Sequence, residues 1–133
     1  PAEGTLTCAR AGHTPLVHVP CGHGGRAQIL VPDGMVVGLR IDNGERFEAL
    51  LQETTVPLGQ GDLLVLFTDG ILEARNVADE EFGAGRLSAL LLENCRASTG
   101  EILESLRDAV LTFAADAPQH DDITLMVVGY REI

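Results

Sequence analysis

The run Leu63-Leu64-Val65-Leu66-Phe67 constrains this chain most, because it leads directly into Thr68-Asp69-Gly70. Five apolar residues in succession lack the alternation of a half-exposed strand, so they predict a central strand buried on both faces. The turn Leu58-Gly59-Gln60-Gly61-Asp62 feeds that strand. At its exit stands an acid, followed by a glycine where the backbone must turn sharply. Taken alone, Asp69-Gly70 reads as a turn or a helix cap.

The flanking sequence supplies the neighbours such a strand needs. Between Thr5 and Val56, short β-like runs are broken by turn residues. Leu6 to Ala11 and Leu16 to Val19 are separated by Gly12-His13-Thr14-Pro15, and Ala27 to Val31 and Met35 to Leu39 flank Pro32-Asp33-Gly34, a hairpin signal. An apolar, β-branched run follows from Phe47 to Pro57. Beyond Gly70 the period lengthens, with Phe82, Leu87, Leu90 and Leu91 on one stripe of a helix over 84–94. Ser98 and Glu101 have capping-box spacing, and Ile102, Leu103, Leu106, Val110 and Phe113 form the apolar face of the helix that follows. Ala117-Pro118 ends it, and Ile123 to Val128 predicts another buried strand. The reading is α+β, antiparallel strands with helices packed outside, in one domain over 1–133.

Charge and composition exclude several functions. Nine Lys plus Arg against 20 Asp plus Glu give a net charge of −11, which repels nucleic acid and anionic lipid. No apolar stretch reaches the roughly 18 residues of a membrane span. Cys8, Cys21 and Cys95 are odd in number, widely separated and without a Cys-x-x-Cys pair, so neither a disulfide framework nor a zinc site is expected, and a reducing, cytoplasmic setting fits. Pro1-Ala2-Glu3-Gly4 has no initiator Met and no signal-peptide pattern, as expected of a piece of a longer protein.

The acids acquire meaning at a second strand end. Gln119-His120-Asp121-Asp122 immediately precedes the strand beginning at Ile123. If that strand pairs with 63–67, the carboxylates of Asp69 and of Asp121 and Asp122 converge, and like charges at close range raise one another's pKa unless a cation neutralises them. An all-oxygen donor set suits Mg²⁺ or Mn²⁺ rather than zinc. His13, in a turn between strands, reads as a residue that fixes the turn by hydrogen bonds rather than as a general acid. Glu73, Arg75 and Asn76 follow the acid closely enough to shape substrate entry, and a turn or solvated face accounts for them as well.

Four ordered motifs carry a family resemblance: Ala11-Gly12-His13-Thr14-Pro15; Gly59-Gln60-Gly61-Asp62 running into Leu66-Phe67-Thr68-Asp69-Gly70-Ile71 with Glu73-Ala74-Arg75-Asn76; Phe82-Gly83; and Asp121-Asp122-Ile123-Thr124. In this order they resemble the metal-dependent (PPM-type) serine/threonine protein phosphatases, in particular the bacterial sporulation-phosphatase and stress-regulator branch. The resemblance implies part of an αββα sandwich with a two-metal site, Mn²⁺ or Mg²⁺, where activated water attacks phosphoserine or phosphothreonine. Asp69 matches the metal-ligand Asp of the Thr-Asp-Gly motif, with Gly70 beside it. Asp121 matches the ligand of the last motif, whereas Asp122 falls where many relatives carry Asn. The family's earlier strand pair, with its bridging Asp followed by Gly, has no counterpart here, since Asp33-Gly34 lies on the wrong side of Ala11-Gly12-His13. The chain therefore resembles the C-terminal portion of the domain, its N-terminal strands and helices absent, its two-metal site incomplete and its own turnover negligible. Implied partners are a phosphorylated protein substrate, of the anti-sigma-factor-antagonist kind, and either the missing N-terminal half or a second copy. A non-catalytic interaction or dimerisation module is the alternative. A calcium-binding scaffold is disfavoured, because no Asp-x-Asp-x-Asp loop with a closing Glu is present.

Overall fold

The computed structural model describes residues 4–22, 25–40, 42–119 and 121–131; Pro1 to Glu3 and His120 of the acidic motif lie outside them. In chain order the elements are β1 (Gly4–Ala9), β2 (Leu16–Val19), β3 (Gln28–Leu30), α1 (Glu45–Leu50), β4 (Glu53–Leu58), β5 (Leu63–Phe67), α2 (Asp69–Leu72), α3 (Gly83–Glu93), α4 (Thr99–Ala114) and β6 (Leu125–Gly129). The apolar run at 63–67 is β5, an interior strand of a four-stranded antiparallel sheet ordered β3-β2-β5-β6. A second, two-stranded sheet pairs β1 with β4. Antiparallel sheets with helices outside make this an α+β fold, part of an αββα sandwich, as the sequence predicts.

The core forms where the helices cover the four-stranded sheet. Val17, Val19, Leu63, Val65 and Phe67 point at Leu87 and Leu91 of α3 and at Ile102, Leu106 and Val110 of α4. Spacings of four along each helix put these residues on one stripe. Ser98 caps α4 as predicted: its hydroxyl accepts from the Glu101 N–H at 3.3 Å, and the Glu101 carboxylate accepts from the Ser98 N–H at 2.8 Å. Phe82 meets Phe113 edge-on at 5.4 Å between centroids, which ties the start of α3 to the end of α4.

Three expectations change. The strand expected from Met35 to Leu39 does not form, and Val36, Val37 and Leu39 are exposed. The Asp33-Gly34 pair instead packs beside other elements: the Asp33 carbonyl accepts from the Gln52 N–H at 2.8 Å, and a Cβ on Gly34 would overlap the Arg10 carbonyl. Phe47 to Leu50, read as β-like, belongs to α1, and the strand begins only at Glu53. Finally, β5 and β6 are not buried on both faces. Their helix side is covered, but Leu66, Met126 and Val128 are 38%, 57% and 43% exposed on the other. That opposite face is covered over β2 and β3, where His18 and Leu30 are buried, and open over β5 and β6. The apolar run belongs to a strand that is interior in its sheet, with its second face open at Leu66.

Candidate metal centre at one end of the sheet

Strand pairing decides where the acids meet. β5 and β6 pair in register from Leu63↔Gly129 to Phe67↔Leu125, so the exit of β5 and the entry of β6 lie at the same sheet end. Thr68 joins them. Its N–H donates to the Thr124 carbonyl at 3.1 Å, its hydroxyl donates to the Asp122 carbonyl at 2.9 Å, and the same oxygen accepts from the Thr124 N–H at 2.9 Å. With three bonds to 122–124, Thr68 holds Asp69 beside the Asp121-Asp122 segment.

Gly70 sets the closeness of that approach. A Cβ there would stand 2.6 Å from the Asp122 carbonyl oxygen and 3.3 Å from that of Asp121, both backbone atoms. Glycine is therefore required by contact between two acid-bearing segments. Asp69, Asp121 and Asp122 are exposed, and Asp121 accepts from the Asp122 N–H at 2.7 Å, while the Gln119 amide donates to the Asp121 carbonyl at 2.8 Å.

The turn carrying His13 reaches the same end. The Thr14 hydroxyl donates to the Phe67 carbonyl, one residue before Thr68. His13 is exposed, its Nδ1 lying 3.0 Å from Thr14 Oγ1 and 3.2 Å from the Thr14 carbonyl, so its contacts are within the turn. Gly12, at φ 89°, occupies the left-handed region that the turn requires. Arg75 and Asn76 also serve a turn. Arg75 pairs with Asp79 at 2.8 Å and Glu81 at 2.7 Å, while Asn76 Oδ1 accepts from the N–H groups of Ala78 and Glu80 at 3.0 Å. The hydrogen bond and charge of Asp79, then Glu81, raise the Arg75 guanidinium further above its usual range. A cavity of about 530 Å³ adjoins the acids, lined by Gly70, Glu73 and Arg75 on one side and by Val110, Asp121 and Ile123 among others.

Two features escaped the sequence reading. Thr68 and Thr14 fasten the acid-bearing end; both lay within motifs, but neither was singled out for that role. At the opposite end of β5, His18 and Asp62 form a buried pair, Nε2 to Oδ2 at 2.8 Å. Asp62 also accepts from the N–H groups of Gly59 at 2.9 Å and Cys21 at 3.1 Å. The signal for Asp62 was its place in Gly59-Gln60-Gly61-Asp62; nothing in the sequence linked it to His18.

Donor chemistry at the acidic end fits Mg²⁺ or Mn²⁺, which bind one or two carboxylates and retain waters. Among the described residues, no group of three or more His, Cys, Asp or Glu side chains is arranged to hold a metal ion. Asp69 and Asp121 would thus supply part of a coordination sphere.

Known proteins share this architecture. The SiaA-PP2C domain of Pseudomonas aeruginosa superposes with a TM-score of 0.73 at 24% identity, over 93% of this chain and 46% of that one. The phosphatase domain of SpoIIE from Bacillus subtilis (Mn presoaked) gives 0.67 at 19% identity, over 99% and 53%. The RsbU and RsbW domains of Rv1364c from Mycobacterium tuberculosis give 0.65 at 20% identity, over 98% and 33%. The fold is thus that of a PPM-type (PP2C) phosphatase domain. Residues 1–131 match the family model of stage II sporulation protein E (SpoIIE), and the chain belongs to that family. Protein IcfG of Synechocystis sp. is 30% identical over 130 residues, which is 98% of this chain and 19% of IcfG. The chain spans about half or less of these relatives' length.

Proposed function

We propose that this chain is the C-terminal portion of a metal-dependent protein serine/threonine phosphatase domain, with Asp69 and Asp121 as ligands for Mn²⁺ or Mg²⁺ and Asp122 as a neighbouring donor. The observation that carries this reading is the contact of Gly70 with the Asp121-Asp122 backbone, locked by Thr68. Bound metal supplies a water of lowered pKa and neutralises charge on a transferring phosphoryl group. The chain's own part is geometric: Thr68 fixes the spacing of the acids, and Gly70 permits it. The proposed substrate is phosphoserine or phosphothreonine on a signalling protein of the anti-sigma-factor-antagonist kind, in the cytoplasm.

The same reading has the N-terminal part of the domain supplying the bridging carboxylate and covering Leu66, Met126 and Val128. Without it, this face drives self-association, because adjacent exposed apolar side chains on an edge strand favour pairing. A second reading, a non-catalytic interaction module, is favoured by the lack of a three-donor group among the described residues. Hydrolysis of a phosphoserine peptide with Mn²⁺, by this chain and by a longer one carrying the preceding strands, separates the two. The longer chain turns over, this one does so negligibly, and Asp69→Asn abolishes activity in the longer chain. Inactivity of both supports the interaction module, and activity surviving both Asp69→Asn and Asp121→Asn overturns the ligand assignment.

A further inference from the structure

The cavity beside the candidate metal centre has two unlike walls. It begins at the acidic contact itself, where Gly70 and Asp121 line it, and its space of about 530 Å³ extends along the last turn of α4. Val110, 3% exposed, lies at its base, and Leu111, 53% exposed, stands at its rim. The room exists because Ala114 and Ala117 occupy positions where larger side chains would fill it. The chain leaves this wall at Ala115, whose φ of 49° is in the left-handed region, a conformation that alanine adopts only at a cost. The facing wall is charged. Glu73 and Asp79, with Asp121, bring three carboxylates to the cavity, and among the described residues lining it Arg75 is the one cation. Asp79 and Glu81 already hold that guanidinium, at 2.8 and 2.7 Å.

We propose that this cavity is a specificity groove for the segment of the phosphoprotein that flanks its phosphorylated residue, seating an apolar side chain against Val110 and Leu111 and a lysine or arginine beside Glu73. The inference rests on the phosphatase reading of the site and names the sequence context in which that site takes its substrate. Continuity, volume and charge select this occupant. An extended peptide advances about 3.4 Å per residue, so with a phosphoryl group at Asp69 and Asp121 the side chains one to three residues away reach the α4 wall. Ligand clefts span roughly 300–1,000 Å³, and a space of about 530 Å³ exceeds what one leucine fills, leaving room for a second side chain. The excess of carboxylates repels an acidic flank. A lysine or arginine instead lays its methylene stem on the apolar wall and brings its charged head to Glu73.

The test uses the longer chain that carries the preceding strands. Its probes are peptides whose central phosphoserine is flanked by glycine, by leucine, by leucine and lysine, or by leucine and glutamate, placed on each side in turn. Fluorescence anisotropy with non-hydrolysable phosphonate versions gives affinity, and the phosphoserine versions give kcat/KM. Leucine should improve both about tenfold over glycine. Lysine should add about a further threefold that fades at high salt, and glutamate should not. Ala114→Phe, which fills the groove, should collapse the leucine preference; Leu111→Ser, at an exposed position, should weaken it without endangering the fold. Glu73→Gln should remove only the lysine preference. Equal affinity for all four flanks, or a leucine preference that survives both Ala114→Phe and Leu111→Ser, would overturn the proposal. Hydrolysis of p-nitrophenyl phosphate without any flank preference removes the groove and leaves the phosphatase reading standing. Flank-dependent binding without hydrolysis of any phosphate ester removes that reading and supports the groove.

Discussion

Gly70→Ala tests the closeness of the acid-bearing segments. A methyl at residue 70 would stand 2.6 Å from the Asp122 carbonyl oxygen, about 0.8 Å inside ordinary contact, and the obstacle is backbone that no rotamer change can move aside. Gly70 is buried in α2, where helix propensity alone would make alanine about 1 kcal/mol more stable than glycine. Relief of the overlap has to push 121–122 away and stretch the Thr68 hydrogen bonds, and such overpacking costs about 1–3 kcal/mol. The net expectation is a loss of up to about 2 kcal/mol together with weaker Mn²⁺ binding. Gly85→Ala is the control: it lies in α3 with nothing within 4 Å of the added carbon, so it should stabilise by about 0.5–1 kcal/mol. Urea denaturation of both variants gives the comparison. A Gly70→Ala chain as stable as the parent, with unchanged Mn²⁺ binding, would refute the reasoning.

Asp62→Ala should destabilise by about 3–5 kcal/mol, because it strands buried His18 and removes the acceptor for two backbone N–H groups; a loss below about 1 kcal/mol in urea would contradict this. Ser98→Ala should cost about 1 kcal/mol through loss of the cap. The Ser98 hydrogen bonds hold the Glu101 carboxyl below its usual range, so that contribution is complete above the ordinary carboxylate range and lost as pH falls through the lowered folded-state value. Thermal scans of parent and variant should therefore converge in acid, and a constant gap would count against the pairing. Met126→Lys should reduce concentration-dependent light scattering by charging the open face, whereas a parent chain monomeric at every concentration would mean that this face needs no cover.

Local signals carried far along this sequence. The Ser98/Glu101 spacing located the start of α4, and the apolar run located β5 to the residue. Failures came where tertiary contact overrode local pattern. Pro32-Asp33-Gly34 has hairpin chemistry, but Gly34 is needed for approach to Arg10, and Met35 to Leu39 finds no strand to pair with. Phe47 suits a strand, yet its neighbours Glu45, Arg46, Glu48 and Ala49 are good helix formers and the segment closes as α1. At the candidate centre, Asp69, Gly70 and Asp121 were legible because strand ends and motif order both pointed to them. The bonds that join them were not, since Thr68 and Asp122 are 54 residues apart and a threonine hydroxyl advertises no partner. The His18–Asp62 pair was hidden for the same reason, across 44 residues.

Calorimetric titration of Mn²⁺ into this chain, its Asp69→Asn variant and its Asp121→Asn variant tests the central claim most directly. Neutralising either carboxylate at constant size removes a charged ligand and little else. Weak, saturable binding by the parent that is lost in both variants is the predicted result; indistinguishable binding by the parent and Asp69→Asn would contradict it.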